Sequence, residues 1–286
     1  MESGIFNSIA FGLLSAISWG AGDFSGGLAT RRAGASHVGV YSVVIGSQLV
    51  GVVLIIGLAL AFRELLPPGA DLAWGAAAGA FGSVGLLALY RGLASGRMGL
   101  VAPLSAVLAA ALPVVIAAFT QGLPTALQFS GFGFALAGVW LLSKPEGSLS
   151  FKLNELTLPL VAGLGFGLFF VLMDRANDRA VFWPIVAARA ASLGLLGGVA
   201  LLNRQPALPE RRIWALTALA GVLDAGGNAF FTLAAQMGRL DVAAVLSSLY
   251  PASTVALAAL VLRERLGAGQ WLGVGAALLA IVLIAL

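Results

Sequence analysis

Long apolar runs alternate with short polar turns along the whole chain. A helix needs about 20 mostly apolar residues to cross the hydrocarbon core of a bilayer, and ten runs are read as such spans. They fall at 5–29, 38–62, 72–90, 100–120 and 126–143, and again at 159–173, 181–202, 213–236, 242–262 and 267–286. Charges and turn formers punctuate them, among them Arg31-Arg32, Arg63-Glu64 and the Pro67-Pro68-Gly69 turn. The polar stretch 144–158, KPEGSLSFKLNELTL, is the expected linker between a first unit, 1–143, and a second, 159–286. The first run exceeds the roughly 7–15 residues of a signal-peptide core and is expected to be a retained span.

Sliding the sequence by 142 positions lays Gly85, Arg97, Ser105, Gln128 and Gly131 on Gly227, Arg239, Ser247, Gln270 and Gly273. One five-span unit is therefore expected twice. Because five is odd, the second copy must enter the membrane from the opposite side, so the fold class predicted is all-α membrane, ten transmembrane helices in two inverted repeats. Such repeats place a binding site near the midplane, between the halves.

Composition narrows the chemistry. Hydrophobic residues make up 60% of the chain and charged ones 10%, at a mean hydropathy of +1.00, which leaves no room for a sizeable soluble domain. With no cysteine and one histidine, His37, neither disulfides, thiol catalysis nor a Cys/His zinc site is expected. No cofactor is expected either. The net charge of +4 comes from basic residues scattered between the runs, which read as topology signals and not as a nucleic-acid surface. Loops after spans one, three, five, seven and nine hold eleven Lys and Arg, the others four, so both termini are expected outside the cytoplasm. Small-xxx-small pairs such as Gly75/Gly79, Gly163/Gly167, Gly194/Gly198 and Gly269/Gly273 are expected to let helices approach closely.

Polar residues inside spans are the candidate binding groups, since an ionisable side chain there is costly unless it faces protein or water. Asp224 and Asn228 share one helix face. They read either as an anchor for a substrate amine or a proton-coupling carboxylate, or as an interhelix hydrogen-bond pair with Arg189 as counter-ion. Asp23 reads as a ligand contact or as an ion pair with Arg31, Arg32 or a partner helix, and Trp19 as a cavity wall or a lipid-facing ring. Pro113 and Pro251 are expected to break spans four and nine and free the carbonyls of Ala109 and Ser247. Ser247, Ser248 and Tyr250 add hydroxyls beside the second break, and Ser105 matches Ser247 in the first half. Tyr90 could cap a cavity mouth or sit at the interface. The Asp174, Arg175, Asp178, Arg179 group reads as a gate or, more simply, as solvated turn charge.

The duplicated five-span unit, Trp19-Gly20 in the first span, and the run Ala243 to Gly275, AAVLSSLYPASTVALAALVLRERLGAGQWLGVG, resemble the EamA-type ten-span transporters of the drug/metabolite transporter superfamily. The resemblance implies a secondary transporter, often an exporter of amino acids or similar metabolites, in a bacterial inner membrane. It also implies a central cavity lined mainly by spans one, three, four, six, eight and nine. The same superfamily holds nucleotide-sugar and triose-phosphate carriers and multidrug exporters. The first half departs from the pattern, with Gly122 at the position of Glu264 and Pro113 four residues later in register than Pro251.

The expected partners are thus a small organic substrate and the lipid bilayer, with the proton as candidate coupling ion, no nucleic acid, and a monomer or homodimer both open. The candidate substrate-binding set is Trp19, Asp23, Tyr90, Ser105, Asp224, Asn228, Ser247 and Tyr250. A lipid-modifying enzyme would want a convergent set of catalytic groups, which one loop histidine does not supply. A channel would want a filter-like repeat, and none is seen.

Overall fold

The computed structural model describes residues 2–33, 37–94, 98–143, 156–176, 179–204, 208–261 and 267–286, and among them the fold is all-α. Eleven helices run in chain order: α1 Glu2–Arg32, α2 His37–Ala61, α3 Gly69–Ala94, α4 Met98–Thr120, α5 Ala126–Ser143, α6 Thr157–Ala176, α7 Phe182–Leu202, α8 Trp214–Met237, α9 Leu240–Ser247, α10 Tyr250–Val261 and α11 Ala268–Ala285. Each of the ten apolar runs coincides with helical structure, the ninth being divided between α9 and α10. Among the described residues seven stretches are long and apolar enough to cross a membrane, and two shorter apolar helices lie at Leu104–Thr120 and Ala126–Leu142. Helices are what such runs must form in lipid, where only an internal ladder satisfies the backbone. Most of the proposed linker, 144–155, lies outside the described residues.

Local chemistry ends these helices where polar residues interrupt the runs. Thr125 and Gln128 form a reciprocal capping box at the start of α5, with both hydrogen bonds at 3.1 Å. Gln270 accepts from the Gly267 N–H at the start of α11 and reaches across to the Leu142 carbonyl. Both α2 and α7 close on a residue in the left-handed region, Arg63 at φ 53° and Arg204 at φ 51°.

The bundle is built on two helix pairs, α1 against α8 and α3 against α6. Around them α2 packs on α7 and α8, α7 on α3, α4 on α6, and α9 with α10 on α1, while α5 pairs with α11 to one side. Loops after α2, α4, α6 and α8 define what is here called the lower face; those after α1, α3, α5, α7 and α10 define the upper face. Close approach is set by small residues, because lipid offers no hydrophobic drive between helices. A Cβ at Gly79 would sit 2.0 Å from the Ala188 carbonyl oxygen, and one at Gly221 2.4 Å from that of Ser47. Gly163 and Gly167 meet Leu108 and Leu112 of α4 in the same way, whereas Gly194, Gly198 and Gly269 have open space beside them. The spacing alone thus overstated the packing role of Gly194/Gly198, while in the last pair only Gly273 meets its neighbour, where a Cβ would be 2.8 Å from the Leu142 nitrogen. On the outside, Val53, Phe119 and Leu272 are 71%, 86% and 67% exposed, a surface suited to lipid and not to water.

The two prolines behave differently. Helix α4 runs unbroken through the buried Pro113, contrary to the expected interruption. Pro251 is instead the second residue of α10, where a missing N–H costs nothing, and the break lies just before it at Ser248 and Leu249.

Candidate functional site

A cavity of about 160 Å³ lies in the middle of the bundle, room for on the order of ten waters. Its lining reaches from Met173 and Ile185, near the lower ends of α6 and α7, to Gly26, Val43 and Leu89 toward the upper face. Trp19, Asp23, Asp224, Asn228 and Tyr250 all line it, so five of the eight candidates converge on one space.

The polar centre is a chain of three side chains from three helices. Asp224 on α8 takes a 2.6 Å ion pair from Nη1 of Arg189 on α7, and the same nitrogen donates at 2.6 Å to Oε1 of Gln48 on α2. The Arg189 side chain is 4% exposed and that of Asp224 37% exposed, so one end of the pair is sunk in protein while the other meets the cavity. Nη2 of Arg189 is buried with no hydrogen-bond partner among the described residues. Gly51 makes space for the guanidinium, since a Cβ there would be 3.3 Å from Cζ and Nη1. Beside it Ser83 and Ser192 hydrogen-bond each other across α3 and α7.

Asp23 on α1 lies close to Asp224, since a Cβ on its neighbour Gly22 would be 3.4 Å from the Asp224 backbone nitrogen. It is exposed and lines the cavity, and it lies within electrostatic reach of Asp224 and of Tyr250. Among the described side chains no cation pairs with it, so the ion pair expected with Arg32 or a partner helix is not formed, and the Arg31 side chain lies outside the described residues. Asn228 is 7% exposed and donates from Nδ2 to the Asp224 carbonyl one turn back at 2.8 Å, leaving its Oδ1 end for the cavity side.

Apolar walls complete the space. The Trp19 ring lies 5.6 Å from that of Phe170 and 6.0 Å from that of Phe231, and Phe170 and Phe231 are 4.7 Å apart. Gly227 is what lets the indole lie flat on α8, because a Cβ there would be 2.4 Å from its Cδ1. Seams around the cavity are tied by hydroxyls: Ser8 and Ser15 of α1 donate to the carbonyls of Ala234 and Gly227, and Thr254 donates to that of Gly20.

Three candidates lie elsewhere. Ser105 and Ser247 are fully buried and donate to the carbonyls of Pro159 and Gly12, which holds α4 to α6 and α9 to α1. The side chain of Tyr90 lies outside the described residues. Conversely, α2 and α7 contribute Gln48 and Arg189, so the lining is broader than the six spans expected. A lone Gln or Arg inside an apolar run is the signal that marks both, and only Arg189 was weighed, as a counter-ion. Among the described residues no group of three or more His, Cys, Asp and Glu is placed to hold a metal.

Residues 154–286, which carry α6 to α11, match the EamA-like transporter family. No curated protein matches the chain. A solved structure described as "Crystal structure of protein" superposes with a TM-score of 0.75 at 20% identity, covering 96% of this chain and 95% of that one. At that identity the likeness is one of fold. The chain thus holds an EamA-like membrane domain in its second part, within a helical membrane fold shared over nearly its whole length.

Proposed function

We propose that this protein is a secondary carrier of small organic solutes, such as amino acids or related metabolites, working by alternating access between two inverted five-helix repeats, 1–143 and 159–286. The observation that carries this reading is the mid-bundle cavity, where Asp23, with no cationic partner among the described side chains, lies near the Arg189–Asp224–Gln48 chain in a space walled by Trp19 and Phe170. A carboxylate without a partner inside an apolar bundle is costly unless something arrives to meet it. Asp23 and Asp224 would hold an ammonium head, Asn228 and Tyr250 its neighbouring polar atoms, and Trp19 the apolar body.

Equivalent packing in the two halves supports the repeat. Gly79 of α3 approaches the Ala188 carbonyl of α7 as Gly221 of α8 approaches the Ser47 carbonyl of α2, pairs offset by 142 and 141 positions. Gln128 and Gln270 serve the starts of α5 and α11 alike, and Arg63 and Arg204 close α2 and α7 in the same conformation. Loop charge supports a cytoplasmic upper face, with both termini across an inner membrane. The upper end of the central cavity, near Gly26, Val43 and Leu89, would then lie toward the cytoplasm, the side from which an exporter loads.

Flux of radiolabelled amino acids, simple amines and a lipophilic cation into and out of proteoliposomes tests this. Saturable flux of at least one solute, abolished in Asp23→Asn, is expected. Flux no faster than in empty liposomes for the whole panel would sink the carrier reading, and single-channel currents would replace it with a pore.

A further inference from the structure

Below the central cavity lies a second, polar one of about 570 Å³. It is bounded by Asp174 and Arg175 at the end of α6, by Arg179 and Val181 before α7, and by Glu64, Gln121 and Gln236, all at the lower face. The two cavities share no lining residue, yet Met173 faces the first and Asp174, the next residue, the second. What separates them is a thin apolar layer. Met173, Ile185 and Phe231 are buried to 0–1% exposure and pack in one cluster with Ala176, Ala234 and Ala235.

Two polar clasps hold that layer together from below. Glu64, in the loop after α2, accepts from the backbone N–H groups of Val181, Phe182 and Trp183 at 2.6–3.1 Å, so its carboxylate sits on the N-terminus of α7. This is where a helix favours negative charge. The Trp183 indole donates back to the Glu64 carbonyl, and the Phe62 and Phe182 rings stack at 5.7 Å. On the other side, Arg239 before α9 donates to the carbonyls of Gln121 and Gly122 after α4 at 3.1 and 2.7 Å, while the fully buried Asp241 fixes its guanidinium. The Gln121 side chain accepts from the first N–H of α9. Each clasp joins a loop of α1–α5 to an element of α6–α11, and neither is used in the central cavity.

We propose that these clasps are the latch that keeps the pathway shut at the lower face, that Met173, Ile185 and Phe231 are the plug they hold, and that the polar cavity is the vestibule into which solute passes when the latch opens. Charge-assisted bonds suit this role. They are strong when made, and both partners can be resolvated at a membrane surface when broken. The vestibule carries acids and bases together, Asp174 with Arg175 and Arg179, so it would receive a polar or zwitterionic solute without trapping one sign of charge.

The chain has no cysteine, so single thiols report directly. Met173→Cys, Asp174→Cys and the face marker Leu123→Cys are reconstituted, and labelling by a membrane-impermeant maleimide from the lower face is timed. In an otherwise unchanged protein Asp174→Cys should label fast and Met173→Cys slowly. Adding Glu64→Ala or Arg239→Ala should speed Met173→Cys by about tenfold or more, the shift one charge-assisted contact makes in a two-state equilibrium, and leave Asp174→Cys unchanged. Glu64→Gln, which keeps an acceptor, should give a smaller rise and serves where the alanine variant does not fold. Equal rates for the two thiols in the unmodified protein, or Met173→Cys rates that folded latch variants leave unmoved, would overturn the proposal. This extends the carrier reading, but labelling needs no solute, so a failure of flux and a failure of the latch are told apart.

Discussion

Removing either member of the Arg189–Asp224 pair should cost unequal amounts of stability, and the direction follows from where each side chain sits. The guanidinium is 4% exposed, so Asp224→Leu strands a cation in protein with only Gln48 as acceptor. Breaking a buried pair in this way typically costs about 3–5 kcal/mol, and because Asp224 is itself 37% exposed, cavity water already screens part of the attraction and the lower end applies. Arg189→Met, near in volume, leaves a carboxylate that the cavity can hydrate, at about 1–2 kcal/mol for the lost charge-assisted bonds. The double variant should cost less than the sum by about 1–3 kcal/mol, as expected for residues in direct contact. Reversible unfolding in mixed micelles, followed by circular dichroism, gives the four values. Flux in liposomes should be lost in all three variants, including the restabilised double. Arg189→Met at least as damaging as Asp224→Leu, or strict additivity, would refute the burial argument.

Three further outcomes follow from the same coordinates. Gly79→Leu and Gly221→Leu should prevent the α3–α7 and α2–α8 seams from closing, giving misassembled protein on size exclusion, whereas Gly194→Ala, with open space beside it, should raise stability by about 0.5–1 kcal/mol in unfolding titrations. Gly227→Ala should displace the Trp19 indole and destabilise by about 1–3 kcal/mol; in the same titration Trp19→Leu should restore stability while flux stays low. Asp23→Asn should leave the melting temperature within a few degrees, since its carboxylate has no cationic partner among the described side chains, but abolish transport; a large fall in melting temperature with transport intact would assign Asp23 to structure.

Why the helices were legible and their packing was not comes down to what each depends on. Ten apolar runs force helices because backbone groups in lipid have no other partners, so residues such as Arg63, Thr125 and Gly267 mark ends that a reader of the sequence can place within a few positions. Which small residues touch is a matter of helix rotation, and rotation is not written in a spacing. Gly75/Gly79 and Gly194/Gly198 are the same pattern on paper, yet the first pair lies against Pro184 and Ala188 and the second against nothing. Serines failed as site markers for a related reason. A hydroxyl in a span can satisfy itself on a neighbouring carbonyl, as Ser105 and Ser247 do, so its presence does not imply a ligand.

Charges were better guides because they cannot hide so cheaply. Asp23, Asp224 and Arg189 were all visible as costs in the sequence, and the fold brings all three to one cavity. The expected alternatives for Asp224 turn out to be compatible: it is an interhelix partner of Arg189 and a cavity wall at once, since only its exposed end is free for a solute. The prolines show the limit of reading a break from one residue. Pro113 and Pro251 carry the same local constraint, but α4 continues because α6 packs along it, with Gly167 close to the Ala109 carbonyl that the proline frees. Before Pro251 the chain breaks at Ser248, whose hydroxyl turns back to the Val245 carbonyl, and Tyr250 is thereby aimed into the cavity beside Asp23. The difference between α4 and the α9–α10 segment thus lies less in the proline each carries than in which helix stops. If the protein is the carrier proposed above, the break between α9 and α10 predicts that solute is bound mainly by α8 and α10 while the first proposed repeat moves around it.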